Sequence, residues 1–365
     1  MKPLQVAVIG AGHLGRIHAK LLAQVDGVEL VAITDPFPAA REHAKAQFGV
    51  ATFESHLDTI ASIDAAIVAS PTPHHAETVA QLLLADKHVF VEKPITIGTD
   101  EAADLVRLAA MRRRTLQVGH VERFNPAWTA AVEVTKDAKY VEAVRASRFP
   151  GRCLDVGVVL DLMIHDIDLV LSLTDAPLRS VSASGIAVVS DHEDMAEARL
   201  EFECGLVANL KASRISPAPA RQMKTFGPNG FSEIDFGSLS LMMIRPDQSL
   251  VNRSFDLETA TENPLRYADK LFSELLTPEV INVEPRNAIL DELHDFVISI
   301  QSRTTPTVSG AAGARAVDVA NQILASIDAR SWSCHDAMSM RGPHATPAEG
   351  IEAASRRIHQ DRKAA

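Results

Sequence analysis

A glycine-rich turn near the amino terminus constrains this chain more than any other feature. The segment Gly10-Ala-Gly12-His-Leu-Gly15 follows the apolar run Leu4–Ile9 and opens a helical pattern at His13–Gln24. Gly10 permits a tight turn, Gly12 lets the backbone approach a phosphate because it has no Cβ, and Gly15 lets the helix pack closely on the strand. The helix amino terminus adds free N–H groups and the positive end of its dipole. The pattern therefore predicts a dinucleotide pyrophosphate site.

An acidic residue at the end of the next apolar run bears on the choice of cofactor. Asp35 lies 20 residues after Gly15. A carboxylate there accepts hydrogen bonds from ribose hydroxyls and repels the 2′-phosphate of NADP, so we expect NAD. Arg41, six residues further on, would partly offset that preference. The cofactor contacts predicted from this part of the chain are Gly10, Gly12, His13, Leu14, Gly15 and Asp35.

Short apolar runs alternate with helical patterns over the first 120 residues. This βαβα alternation predicts a parallel sheet with helices on both faces, which together with the glycine turn is a Rossmann fold. The predicted strands are Leu4–Ile9, Leu30–Thr34, Ala65–Ser70, His88–Val91 and Leu116–Val118. The predicted helices are His13–Gln24, His75–Ala85 and Thr99–Met111.

The pattern changes after residue 123. Ala196–Ala212 alternates apolar and charged residues around a turn at Cys204-Gly205, which predicts an antiparallel hairpin. We therefore predict an α/β chain with a Rossmann domain over 1–123 and an α+β domain with an open, mainly antiparallel sheet over 124–330. We predict a mobile tail over 331–365, with one helix at Gly350–His359. Further strands are predicted at Met223–Phe226, Phe231–Phe236 and Ser238–Ile244, and helices at Pro126–Val134, Val159–Leu173, Ala288–Gln301 and Ala311–Ala329.

Composition limits the partners and the compartment. A net charge of −11 argues against nucleic acid and membrane surfaces, although a local basic pocket could still bind a small phosphorylated ligand. The three cysteines are far apart and form no CxxC pair, so we expect neither a zinc site nor a disulfide framework. The chain has no signal-peptide layout and no apolar run of about 18 residues, which predicts a cytoplasmic protein.

A second motif, Glu92-Lys93-Pro94, ends the run HVFVE at the sheet edge where ligands bind in open α/β sheets. From the residues alone, Glu92 could bind ribose hydroxyls, and Lys93 could meet the substrate oxygen or the nicotinamide amide. A surface Lys–Glu pair at a turn is the alternative.

A third motif lies on the predicted helix Val159–Leu173. Asp161 and His165 are four residues apart and share a helix face, so the carboxylate can orient the imidazole and raise its basicity. The neighbouring Asp166 and Asp168 leave a capping or surface role open. A metal site is not predicted, because the acidic neighbours do not converge with His165 on one face. The side chains of His13, His18, His43, His56 and His120 are interpreted as surface or packing residues.

The order of these motifs resembles the glucose–fructose oxidoreductase / inositol dehydrogenase family over about residues 4–330. The resemblance rests on the glycine turn, the segment Ser70-Pro-Thr72-Pro-His-His75, the Glu92-Lys93-Pro94 motif and Asp161-Leu-Met-Ile-His165. It implies a Rossmann domain followed by an α/β domain with an open sheet, and subunits that pair through such sheet faces as a homodimer or homotetramer. It also implies that the Lys93–Pro94 bond is often cis in such chains.

The resemblance gives the motif residues roles in the oxidation of a secondary alcohol. Lys93, Asp161 and His165 correspond to the family's catalytic Lys, Asp and His. His165 would take the hydroxyl proton as general base, Lys93 would donate to the developing alkoxide, and Asp161 would orient the substrate or His165. The residues implied to lie at the nicotinamide side of the cofactor are Ser70, Thr72 and His75. Glu92 and Lys93 are the other two cofactor contacts predicted here.

The substrate prediction rests on the junction segment 117–126 and on Arg214. Arg123 can hold a phosphate or carboxylate with its planar guanidinium, or it can pair with Glu122 or a neighbouring acid. The segment resembles the family branch that contains UDP-N-acetylglucosamine 3-dehydrogenases of lipid A and related pathways. This resemblance implies oxidation of the sugar C3 hydroxyl to a 3-keto sugar, on which a partner aminotransferase acts. The predicted substrate contacts are Arg123, Asn125, Asp161, His165 and Arg214.

Three alternatives stay open at this point. The chain could oxidise a free sugar, inositol or sugar acid, or it could oxidise a nucleotide-linked uronic acid whose carboxylate Arg214 holds. A catalytically silent NAD-binding or regulatory protein is the third. The presence of Lys93, Asp161 and His165 together argues against the silent protein.

Replacing Asp35 with Ala tests the cofactor assignment. We expect the Asp35→Ala change to weaken NAD binding more than NADP binding, because the lost carboxylate accepts from the ribose of NAD and repels the phosphate of NADP. Dissociation constants for both dinucleotides, measured by fluorescence titration, check this. Equal losses for the two would rule out the assignment.

Overall fold

A computed structural model of the chain describes residues 2–149, 156–228, 230–255 and 271–329. The predicted tail, with its helix at Gly350–His359, lies outside the described residues, as do Cys153 and Cys334. Cys204 is a free, exposed thiol in the turn after the strand Met195–Phe202.

The first sheet has six parallel strands in the order β3-β2-β1-β4-β5-β6. This order is the doubly wound arrangement of a Rossmann fold, with a topological switch point between β1 and β4. The core strands are continuously buried because helices cover both faces. The strands are β1 Leu4–Ile9, β2 Val28–Thr34, β3 Ala51–Phe53, β4 Ala65–Val68, β5 His88–Glu92 and β6 Leu116–Gly119.

Four helices connect these strands: α1 His13–Leu22, α2 Pro38–Phe48, α3 His75–Leu84 and α4 Thr99–Arg112. Local signals set their ends. Pro38 occupies the first turn of α2, where its missing N–H costs nothing, and Gly49 ends that helix with a φ of +69°. Asp100 and Glu101 lie in the first turn of α4, where they complement the helix dipole.

The second sheet has eight strands in the order β14-β13-β12-β11-β7-β10-β9-β8. Every neighbouring pair is antiparallel except β7 and β10, which are parallel. The predicted hairpin is present as β9 and β10, with its apolar residues buried. The strands are β7 Tyr140–Ala146, β8 Leu178–Ile186, β9 Met195–Phe202, β10 Val207–Ser213, β11 Ala220–Gly227, β12 Gly230–Asp235, β13 Ser240–Ile244 and β14 Pro278–Asn282.

Two segments connect the sheets. After β6, a 3₁₀ turn at Val121–Phe124 leads into helix α5, Pro126–Thr135, whose first free amide groups are capped by the side chain of Asn125. Further along, the predicted regular helix over Val159–Leu173 begins with a π-helical turn at Val159–Met163 and continues as α6, Ile164–Leu171. The wide turn shifts the side-chain spacing in the segment that carries Asp161.

The remaining helices are α7 Gln248–Val251, α8 Ala288–Ser302 and α9 Gly310–Asp328, with a second π-helical turn at Leu271–Leu275. Helix α8 packs on the six-stranded sheet although it lies within the predicted second domain. Phe296 contacts Phe90 edge to face, with 5.9 Å between ring centroids. Leu293 and Val297 belong to the same buried cluster. The last part of the described chain thus stabilises the first domain.

Truncating Phe296 tests this packing. We expect Phe296→Ala to lower the free energy of unfolding by about 3–5 kcal/mol, because a buried aromatic side chain leaves a cavity. The control is Ile298→Ala on the same helix, whose side chain is 56% exposed and whose loss should cost about 0.5 kcal/mol or less. Urea denaturation of both variants gives the comparison. Equal costs would contradict the anchoring role of α8.

Candidate active site

The glycine turn has the shape that a bound pyrophosphate needs. Gly10 has a φ of +99°, and a Cβ on it would lie 2.7 Å from a neighbouring backbone carbonyl oxygen. A Cβ on Gly15 would overlap the carbonyl oxygen of Gly10, so only glycine allows α1 to lie this close to the turn. A Cβ on Gly12 would meet nothing within 4 Å, which leaves space for a ligand over the amino terminus of α1. His13 and Leu14 are the first residues of that helix.

Asp35 is fixed at the carboxyl end of β2 by two backbone amides. Its Oδ2 accepts from the N–H of Ala11 at 2.8 Å, and its Oδ1 accepts from the N–H of Phe37 at 2.9 Å. Each oxygen keeps a lone pair for a ribose hydroxyl. The Nη1 of Arg41 donates to the carbonyl oxygens of Asp35 at 2.7 Å and Pro36 at 2.9 Å, so the guanidinium binds the backbone of the loop that carries Asp35.

The segment after β4 lies at the same sheet edge as the glycine turn. The hydroxyl oxygen of Ser70 is buried and has no hydrogen-bond partner among the described residues, so it fits a ligand such as NAD at this edge. Thr72 begins a short 3₁₀ turn. His75 requires a correction, because it is buried with its Nδ1 2.8 Å from the carbonyl oxygen of Pro94 and its Nε2 2.8 Å from that of Ser70. It supports these two loops rather than offering a polar atom to nicotinamide.

Glu92 ends β5 as an ionised, partnered carboxylate. Its Oε1 lies 2.6 Å from Nε2 of His18 on α1, and its Oε2 accepts from the N–H of Lys93. Burial by itself would raise the pKa of Glu92, but the hydrogen bond and charge of His18 and the charge of Lys93 lower it. Gly119 leaves room for this carboxylate, since a Cβ there would lie 2.9 Å from Oε2. His18, interpreted from the sequence as a surface or packing residue, is therefore a site residue that sequence reasoning missed.

Lys93 joins the two halves of the site. Its Nζ donates to the carbonyl oxygen of Asp161 at 2.6 Å and to the Oδ1 of the same residue at 3.1 Å. Both side chains keep 16% of their surface exposed, so the pair remains accessible from the cleft. The Lys93–Pro94 peptide bond is cis.

Asp161 is held by the π-helical turn, which Glu193 supports. Oε1 of Glu193 accepts from the N–H of Val159 at 3.0 Å, and the carbonyl oxygen of Glu193 accepts from the N–H of Val158 at 2.9 Å. No hydrogen bond joins Asp161 to His165 in the described part of the chain. The expectation that Asp161 orients the imidazole is therefore wrong, because the carboxylate is engaged by Lys93 instead.

His165 stands half-buried at the start of α6, close to a second histidine. The ring of His120 lies edge to face with it, at 6.3 Å between centroids. Burial lowers the pKa of His165 well below 6.5, and the charges of Lys93 and Arg145 lower it further. His120 is buried, and neither of its ring nitrogens has a hydrogen-bond partner among the described residues. It is the second histidine that the sequence interpretation left aside, although it directly follows the carboxyl end of β6.

A buried arginine ties this helix to the first domain. Arg145 on β7 donates through Nε and Nη2 to the carboxylate of Asp166 and through Nη1 to Oε1 of Glu122 at 2.8 Å. Glu122 belongs to the turn after β6, and Asp166 is the residue next to His165. The position of His165 relative to Lys93 thus depends on one guanidinium.

Two predicted substrate residues have structural partners. Arg123 lies 3.7 Å from the carboxylate of Asp168, which agrees with the alternative that it pairs with a neighbouring acid. Asn125 is corrected from a substrate contact to a cap. Its Oδ1 accepts from the N–H of Ala127, and its Nδ2 donates to Glu122 and to the carbonyl oxygen of Phe236.

Arg214 is the clearest correction. Its side chain is fully buried, and its Nε donates to Oδ1 of Asp194 at 2.8 Å. Its Nη1 donates to the carbonyl oxygen of Val156 at 2.9 Å, just ahead of the π-helical turn, and its Nη2 donates to the hydroxyl of Ser190. Arg214 therefore positions the segment that leads to Asp161 and is not available to a substrate carboxylate.

The described residues contain neither a metal-binding cluster nor a membrane-spanning helix. No group of three or more His, Cys, Asp or Glu side chains there has a geometry suited to a metal ion. No helix there is long and apolar enough to span a bilayer.

Family models match both parts of the chain. The model of the GFO/IDH/MocA oxidoreductases with an NAD-binding Rossmann fold matches residues 4–120, and the model of the GFO/IDH/MocA C-terminal domain matches residues 131–232. UDP-N-acetylglucosamine 3-dehydrogenase of Acidithiobacillus ferrooxidans is 32% identical over 331 residues, which covers 89% of this chain and 98% of the relative. The scyllo-inositol 2-dehydrogenase (NAD(+)) of Bacillus subtilis is 30% identical over 233 residues, 59% of this chain and 68% of the relative.

Solved structures give the same placement. The structure of the A. ferrooxidans enzyme has a TM-score of 0.78 and 31% identity, covering 90% of this chain and 99% of that one. The scyllo-inositol dehydrogenase of Lactobacillus casei, solved with NAD(H) and scyllo-inositol, has a TM-score of 0.69 over 89% of this chain and 97% of that one, and at 22% identity it shows the shared fold. The chain thus belongs to the GFO/IDH/MocA family, and it is an NAD-dependent sugar dehydrogenase.

Proposed function

We propose that this enzyme oxidises the C3 hydroxyl of the sugar in UDP-N-acetylglucosamine to a 3-keto group, with NAD as the oxidant. The similarity that supports this substrate is the 32% identity to a UDP-N-acetylglucosamine 3-dehydrogenase along nearly the full length of both chains. The inositol dehydrogenase of B. subtilis aligns over 59% of this chain. The nucleotide-sugar relative therefore matches a larger share of this chain, 89% against 59%.

The observation that carries the chemistry is the contact between Lys93 and Asp161. It places the ammonium group of Lys93, from the carboxyl end of β5, 3.1 Å from the carboxylate and 2.6 Å from the carbonyl oxygen of Asp161, in the π-helical turn. This edge of the sheet also carries the glycine turn, Asp35 and Ser70. A sugar lying over the Lys93–Asp161 pair is within reach of a cofactor bound along that edge.

Each residue has a role that follows from its charge. The Nζ of Lys93 donates a hydrogen bond to the reacting hydroxyl oxygen and stabilises the negative charge that develops there. Asp161 holds that ammonium group in position through its carbonyl oxygen and Oδ1. The imidazole of His165 is uncharged at neutral pH, so it is able to accept the hydroxyl proton. NAD, when bound, supplies the hydride acceptor, and Gly12, Asp35 and Ser70 are the residues that would hold it.

A free sugar or inositol is the second candidate substrate, favoured by the inositol dehydrogenases among the relatives. The nucleotide-linked uronic acid loses its support, because Arg214 is engaged with Asp194.

Assembly and pathway remain proposals. A homodimer or homotetramer is supported by Val144 and Phe226, which are partly exposed on the eight-stranded sheet. A 3-keto sugar is a substrate for amine transfer, so the same proposal includes an aminotransferase that acts next, as in lipid A synthesis. It also includes a cytoplasmic location.

A panel of sugars tests the substrate. With UDP-N-acetylglucosamine and NAD we expect NADH formation, which is measured by absorbance. We expect kcat/KM to be at least about tenfold lower with UDP-glucose, N-acetylglucosamine, myo-inositol or scyllo-inositol, because contacts to the nucleotide or to the acetamido group are lost. Faster turnover of an inositol would replace this substrate with the second candidate. No turnover with any sugar would favour the silent protein.

Replacing His165 tests the base. We expect His165→Ala to lower kcat at least about 100-fold while NAD affinity stays within about twofold, because proton transfer is lost and the cofactor edge is untouched. His43→Ala, an exposed histidine on α2, is the matched control and should leave kcat unchanged.

The pH profile of the wild-type enzyme tests the same assignment independently. Because the folded environment lowers the pKa of His165, the imidazole gains a proton only below pH 6.5, and proton acceptance fails there. The acid limb of kcat/KM should accordingly have its midpoint below 6.5. A midpoint above 6.5, or retained turnover in His165→Ala, would refute the assignment.

A further inference from the structure

A cavity of about 810 Å³ lies at the amino-terminal edge of the six-stranded sheet, opposite the edge that carries the glycine turn. His88 and Leu116, the first residues of β5 and β6, form its floor. The end of α4, the end of α8 and the start of α9 form its walls. Neither the cofactor residues nor Lys93 and Asp161 line it.

Four arginines line this cavity in a chain whose net charge is −11. They are Arg112, Arg113, Arg114 and Arg303. Asp86 lies 3.7 Å from Arg112 and 3.9 Å from Arg114, and it is half exposed to solvent. One carboxylate does not balance four guanidinium groups, so the cavity carries an excess of positive charge.

Arg113 and Arg303 occupy backbone positions that glycine suits best. Each ends a helix in the left-handed region, with φ values of 53° and 57°. A residue with a Cβ is strained in this region relative to glycine. A basic residue at a helix carboxyl end is stabilised by the helix dipole. The dipole does not explain why both of these arginines line the same cavity.

The amino terminus of α9 faces the same space. Ser309, Gly310 and Ala311 line the cavity, and α9 is 19 residues long. The Oγ of Ser309 caps the N–H of Ala312. The first amides of a helix have no intrahelical partner and favour an anion. A helix terminus and four arginines thus converge on one cavity.

The surroundings of Arg114 and His88 show the effect of the unbalanced positive charge. The Nε of Arg114 is buried and has no hydrogen-bond partner among the described residues. Nδ1 of His88 accepts from the N–H of Thr115 at 3.0 Å. Burial and the positive charge of Arg114 lower the pKa of His88 to about 4, with Asp64 opposing them, so the imidazole adds no charge at neutral pH.

Part of the remaining lining is apolar, from Val106, Leu116, Ile300 and Pro306, and the threonines Thr115, Thr304 and Thr305 also line the cavity. The volume lies within the range of about 300–1,000 Å³ typical of small-molecule sites. We propose that this cavity binds a small phosphorylated molecule, with its phosphate or diphosphate group on the arginines and the start of α9, and its ring portion on the apolar wall. This site is separate from the oxidation site and does not depend on which sugar is oxidised.

Isothermal titration of the full chain with inorganic pyrophosphate tests the proposal. NADH is kept at saturation so that the glycine turn is occupied. We expect one pyrophosphate per chain, and at least about tenfold weaker binding in Arg113→Gly/Arg303→Gly, because two charge-assisted contacts are lost. Glycine suits both backbone positions, so the variant should remain folded. Arg107→Ala, an exposed arginine on α4 paired with Asp104 outside the cavity, is the matched control and should bind as the wild type does.

Two further readouts separate this site from other phosphate sites on the enzyme. The NMR titration of His88 should show its pKa rising from about 4 when pyrophosphate is added, and no such rise in the double glycine variant. ADP should bind more tightly than pyrophosphate, with the same sensitivity to the double variant, because its ring system meets the apolar wall. No binding up to about 10 mM pyrophosphate, equal affinity of wild type and double variant, or an unchanged pKa of His88 would overturn the proposal.

Discussion

The geometry of this enzyme depends on one buried guanidinium. Arg145 joins Glu122, at the exit from the Rossmann domain, to Asp166, beside His165. A buried ion pair is costly to break, by about 3–5 kcal/mol, since the remaining charge has no partner. The two carboxylates come from different parts of the chain, so the guanidinium fixes the junction between the two sheets. The distance from Lys93 to His165 follows from that junction.

The residues proposed for the chemistry lie on both sides of this junction. The cofactor edge and Lys93 belong to the first sheet and its loops, and Asp161 and His165 belong to the segment that follows β7. Neither side contains all of the proposed residues, and the contact of Lys93 with Asp161 links the two sides directly. The buried ion pair of Arg214 and Asp194 acts indirectly. Arg214 holds the backbone at Val156, which leads into the π-helical turn. An arginine predicted to bind substrate thus stabilises the segment that carries Asp161.

Sequence reasoning succeeded where a requirement is local. Gly10 and Gly15 have neighbours within van der Waals range that exclude any Cβ, and this constraint appears in the sequence as a motif. It failed where a partner comes from a distant strand. His18 lies on the buried face of α1 with Leu21, a position that suggests a core residue, and only the fold brings Glu92 to it. Likewise, β7 and its parallel pairing with β10 have no local signature, because that register joins residues about 67 apart.

The sequence by itself determined the Rossmann fold and the NAD cofactor, and it singled out Asp35, Lys93, Asp161 and His165 as candidate site residues, because glycine spacing, strand alternation and motif order are properties of neighbouring residues. The tertiary structure decided how these groups are used. It engaged Asp161 with Lys93 rather than His165, buried Arg214 in an ion pair, and gathered arginines from α4 and α8 around one cavity. These outcomes depend on packing between segments far apart in the chain, where burial and charge pairing set the contact and the local pattern does not.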